Sequence, residues 1–99
     1  MNNPFSPSVE TTRLGIMHLK RYWEKQQAIR NGVLNNADMS EEWQLDYTLL
    51  VALNLGLEQT VQYLYLGGVS IDEFEDWILE VNGGSIPEEN IRQFNACIL

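Results

Sequence analysis

Ninety-nine residues are enough for one hydrophobic core and exclude a division into two. An apolar fraction of 44% with three tryptophans excludes a disordered chain, and a single cysteine excludes both a disulfide framework and a multi-cysteine metal site. The net charge of −8 opposes nucleic acid and anionic membrane and favours basic partners.

That charge is unevenly placed. Residues 1–37 hold five Lys or Arg against Glu10 and Glu24, whereas residues 38–99 hold twelve acids against the lone Arg92. The opening MNNPFSPS lacks a basic residue followed by an apolar run, so residues 1–8 read as a flexible tail rather than a secretory leader. Residues 9–99 read as one helical domain. The apolar run YTLLVALNLGL falls short of the roughly 18 residues that a membrane span requires, and a cytoplasmic location is expected.

The first predicted helix begins after Ser8 and runs to Arg30, before the Asn31–Gly32 stop. Ile16, Leu19, Tyr22, Trp23, Gln26 and Ile29 share an apolar arc, and Arg13, Lys20, Arg21 and Lys25 form a basic outer face. Gly15 lies inside that helix, where it is expected to admit a close neighbour. His18 reads as a boundary residue between the two faces. Asp38 with Glu41, or Ser40, signals a second helix over Glu41–Leu55 that stops at Gly56. Its apolar residues point in several directions, which places it at the centre of the bundle.

A third helix is predicted over Leu57–Leu66, ending at Gly67–Gly68. Ser70 and Glu73 have the spacing of a capping box and open a fourth helix that reaches Asn82 and stops at Gly83–Gly84. Ser85 and Glu88 repeat that spacing, with Pro87 in the first turn of a fifth helix carrying Ile91, Phe94, Asn95 and Ile98 on one side. The fold class is therefore an all-α bundle of four to five short helices, with the second helix central.

Chemical motifs are sparse. Asp72, Asp76 and Glu80 recur every fourth residue and line one ridge of the fourth helix, with Glu73 and Glu75 to either side. Ligands on a single ridge converge poorly on a metal, and His18 is the only histidine, so no HExxH or paired Glu-x-x-His motif exists. Cys97 and His18 could meet in space, but Cys97 reads as a packing residue near the terminus. The glycine pairs are helix stops without the lysine of a phosphate loop. No cofactor, metal or catalytic residue is expected.

Tyr63 and Tyr65 lie on different sides of the third helix, and Leu79 points away from the apolar stripe of the fourth. The leading expectation is a small, acidic, non-catalytic interaction module that engages a basic protein surface through Tyr63, Tyr65, Glu73, Asp76, Leu79 and Glu80. Such a module would be an accessory or docking subunit, or an inhibitor of the immunity-protein kind. Two alternatives stand beside it: a small-molecule or metal-dependent helical enzyme domain, and a self-associating homodimer.

Overall fold

The computed structural model describes residues 7–32, 43–66 and 68–98. The Asp38, Ser40 and Glu41 start signals lie outside them. Five helices form, α1 Leu19–Arg30, α2 Trp43–Ala52, α3 Leu57–Leu64, α4 Ile71–Val81 and α5 Glu88–Ile98, with no named strand among the described residues. The all-α small bundle read from the sequence is the fold.

The first helix starts much later than predicted. Gly15 (φ 78°) and His18 (φ 71°) are both left-handed, a conformation that a right-handed helix cannot contain. Residues 7–18 instead form a strap of turns, closed by an isolated bridge between Thr11 and Met17. A Cβ on Gly15 would meet nothing within 4 Å, so the glycine serves backbone conformation and not close packing.

Helix ends explain the other boundary shifts. α2 stops at Ala52 because Asn54 turns left-handed (φ 57°) ahead of Gly56. Leu55 N–H then donates to Leu50 O at 2.9 Å and Asn54 N–H to Val51 O at 3.1 Å, the two bonds of a Schellman cap. α4 ends the same way at Gly83, with Gly84 N–H on Leu79 O (2.8 Å) and Gly83 N–H on Glu80 O (3.2 Å). At its start, Ser70 Oγ accepts from Glu73 N–H and the Glu73 carboxylate accepts from Ser70 N–H, the reciprocal bonds of the predicted capping box. α5 begins at Glu88, with Pro87 O accepting from Ile91 N–H, two residues later than a Ser85 cap would place it.

The core draws on every helix and on the strap. Ile16, Leu19 and Tyr22 meet Leu49 and Leu50 of α2, Leu53 in the turn just past it, Leu64 of α3, Phe74 and Ile78 of α4 and Phe94 of α5. α2 contributes two leucines, Leu49 and Leu50, that are essentially fully buried, yet Tyr47 and Val51 on its other side are 52% and 55% exposed. The radius of gyration, 12.8 Å, equals the roughly 13 Å expected of a compact chain this long. No described helix is long and apolar enough to cross a membrane.

Candidate functional site

α4 presents Asp72, Glu73, Asp76 and Glu80 outward because Phe74 and Ile78 occupy its buried stripe, with Glu75 the one carboxylate turned in beside them. Glu73, Trp77 and Glu80 follow the i, i+4, i+7 spacing that puts residues on one face, with Asp76 alongside. Tyr63 of α3 lies flat on Trp77, with ring centroids 4.3 Å apart and planes 7° from parallel. Its hydroxyl donates to Glu73 O at 3.1 Å. Burial first, and then the fields of Glu73, Asp76 and Glu80, raise the Tyr63 hydroxyl above its ordinary pKa.

Four of the six residues singled out in the sequence, Tyr63, Glu73, Asp76 and Glu80, thus come together around one aromatic stack. Tyr65, 42% exposed beside Leu66 at 79%, points elsewhere and lies close enough to Tyr22 to act on its ionisation. Leu79 is half-buried. Glu73, Asp76 and Glu80 are all exposed, which deprives a catalytic reading of the burial that would tune a carboxylate. Among the described residues no group of three or more His, Cys, Asp or Glu is arranged to hold a metal.

The other end of the acidic ridge is occupied by the chain's own arginine. Arg13 Nη2 donates to Asp76 Oδ1 and to Asp72 O, both at 2.8 Å, and Arg13 Nε lies 3.5 Å from Glu75 Oε1. The hydrogen bond to Asp76 is the main reason the guanidinium pKa is raised, with the charges of Glu75 and Asp72 adding to it. Glu75, buried, also accepts from Thr12 Oγ1 (2.5 Å) and from Leu14 N–H (3.1 Å). Asn95 of α5 holds the strap on its other side, accepting from Met17 N–H at 2.8 Å and donating to Gly15 O at 3.0 Å.

A second polar cluster lies inside the bundle, and the sequence reading missed it. His18 is 0% and Lys25 1% exposed, contrary to the boundary and outer-face positions expected for them. Both turn toward Asp46 of α2: His18 Nε2 is 2.6 Å from Oδ1, and Lys25 Nζ donates to Oδ1 and Oδ2 at 2.9 and 3.0 Å. Ser8 Oγ lies 2.9 Å from His18 Nδ1, and His18 N–H donates to Ser8 O.

The inward turn of these residues has a periodic cause. Tyr22 and Lys25 have i, i+3 spacing on α1, so one stripe carries both toward α2, and His18 joins them from the left-handed position just before the helix. That spacing was the available signal; the assumption of an outward lysine concealed it.

A hydroxyl, an imidazole and a carboxylate in series resemble a nucleophile, its base and its orienter. Here the imidazole is wholly enclosed and Lys25 directly compensates Asp46. A neutral His18 donates through Nε2 and accepts a hydrogen bond from the Ser8 hydroxyl at Nδ1, whereas a charged one donates through both nitrogens and Ser8 accepts. Either way, the chain fastens the strap and α1 to α2.

Compared with known protein families, characterised proteins and solved structures, the chain matches none of them.

Proposed function

We propose that this protein is a small, non-catalytic interaction module whose α3–α4 face engages a basic surface on a protein partner. The observation that supports this reading is the unequal occupation of the acidic ridge. Arg13 shows how the ridge seats a guanidinium, between Asp72, Glu75 and Asp76. Farther along the same helix, Glu80 meets no cation among the described residues, and the Tyr63–Trp77 stack stands beside it.

A partner's arginine or lysine placed there would gain carboxylates and an aromatic face together. Cation–π contacts and charge-assisted bonds are both available in that geometry. Glu80, with Glu73 on the same face, would steer the encounter, and Tyr63 with Trp77 would hold the docked partner. An accessory or docking subunit, or an inhibitor covering a basic active site, would use the face in the same way. The compartment we propose is the cytoplasm, where the exposed Cys97 thiol would stay reduced.

Affinity capture of the tagged protein from its native lysate, at low and high salt, tests the proposal. The expected result is a basic partner that is retained at low salt and weakened by Glu80→Lys. Glu88→Lys on α5 alters net charge equally and should leave capture intact. Equal loss with both variants would reduce the effect to overall charge, and no specific partner at either salt would reject the proposal.

A further inference from the structure

We infer that the outer face of α2, with the groove it forms against α5, is the docking surface for a second copy of this chain. The groove encloses about 290 Å³ and is lined by Thr48, Val51 and Ala52 of α2 and by Asn90, Gln93, Phe94 and Cys97 of α5. Tyr47 stands one turn from Val51 on the same ridge, and both are more than half exposed.

The occupant follows from charge. α2 is the one described helix whose exposed residues, Gln44, Tyr47, Thr48 and Val51, carry none; its only ionisable acid, Asp46, is buried against Lys25 and His18. The seven groove residues are uncharged as well. A two-fold contact brings identical patches together, so on a chain of net charge −8 it requires a face without carboxylates. Among the described helix faces this one comes nearest to that condition, with Glu89 at its rim, where its carboxylate accepts from Gln93. It offers nothing to the basic partner proposed for α4, and the two surfaces are independent.

Hydrogen bonding points the same way. Thr48 Oγ1 donates to Gln44 O, Asn90 Nδ2 to Ala52 O, Gln93 Nε2 to Glu89 Oε1 and Cys97 Sγ to Gln93 O. The polar groups around the groove are thus already engaged within the chain. They ask little of an occupant, and covering them with an apolar ridge leaves few donors unpaired. The Tyr47–Val51 ridge of another copy is such a surface. Two short helices bury little area, so the dimer should form reversibly and depend on concentration.

The test is the solution mass of the full chain by light scattering, from about 5 µM to about 500 µM, the range suited to a small interface. Mass should rise from 11.4 kDa toward twice that value. The midpoint concentration should fall as salt is raised, because screening relieves repulsion between acidic copies. Val51→Glu and, separately, Tyr47→Lys should each hold the mass at 11.4 kDa with an unchanged helical circular dichroism spectrum. Glu80→Lys should leave the rise intact.

A wild-type mass that stays at one chain throughout would overturn the inference. So would a folded Val51→Glu variant that still dimerises. A monomer whose α2 face binds a different protein or a small apolar molecule, seen as nuclear magnetic resonance shifts confined to Val51 and Phe94, would likewise assign the surface elsewhere.

Discussion

Tyr22 shows how much one atom can reveal about a small core. Its hydroxyl is buried without a hydrogen-bond partner among the described residues, and burial, then Asp46 and Tyr65, push its ionisation well above the ordinary value. Unfolded tyrosine ionises near pH 10. The folded state therefore keeps a proton that the unfolded state loses, and stability present below that pH should decline as pH rises beyond it. Tyr22→Phe should flatten this alkaline decline. At neutral pH it should cost nothing or stabilise by up to ~1 kcal/mol, since it removes an unsatisfied polar atom. Urea melts at pH 7 and in the alkaline range check both statements.

Asp46 makes the opposite case, because it answers both Lys25 and His18. Asp46→Asn should cost about 3–5 kcal/mol, as breaking a buried pair does, and should exceed the cost of Lys25→Met, which leaves the His18–Asp46 bond in place. The reverse order in chemical denaturation would mean that Lys25, not Asp46, is the centre of the cluster. Lys25 was illegible in the sequence for a physical reason. A lysine is rarely enclosed, and what makes it tolerable here is a carboxylate 21 residues away, on another helix.

Individual elements were most legible where short-range chemistry decides them. Ser70 and Glu73 announce the start of α4 in four residues, and Ser70→Ala should lower stability by ~1 kcal/mol. The end of α2 was harder, because Asn54 takes the left-handed position that glycine would ordinarily signal. Asn54→Gly should be neutral or better, whereas Gly83→Ala should cost about 1–2 kcal/mol through left-handed strain. The strap could not be foreseen. Its shape depends on Glu75 and Asn95, which are distant in sequence, while its own residues mimic a helical period. Asn95→Ala should therefore accelerate hydrogen exchange at the Met17 amide while the Leu14 amide, held by Glu75, remains protected. Equal exchange at both would show the strap opening as one piece.

The whole molecule reconciles the two halves of its charge. Basic residues of the first third turn onto the acidic remainder, Lys25 inward to Asp46 and Arg13 outward to α4. The excess of acid was plain in the sequence, but which carboxylates the chain would answer itself was not, because Arg13 reaches them across more than fifty residues. What remains is a bundle with an acidic aromatic face and an uncharged one. Added salt should act on them with opposite sign, weakening attachment of a basic partner and strengthening attachment of a second copy. A single titration read for both properties separates the two surfaces.

The Schellman turn after α4 also bears on how the protein ages. Asn82 is followed by glycine, a pairing prone to lose ammonia when the next backbone nitrogen attacks the side-chain carbonyl, and asparagine is among the thermolabile residues. In the fold, Gly83 N–H is bound to Glu80 O, and the Asn82 amide donates to Leu53 O and Ile78 O. Deamidation there should wait for the α2 and α4 ends to part. Once it occurs, a carboxylate would face the same two carbonyls and hinder their rejoining. Asn31 is also followed by a glycine whose N–H is bound, to Ile29 O, but it stands on an exposed helix end, so it supplies the internal reference for the Asn82 side-chain bonds. Peptide mapping of stored protein should find Asn31 converted well before Asn82, and a destabilising change such as Ser70→Ala should narrow the gap.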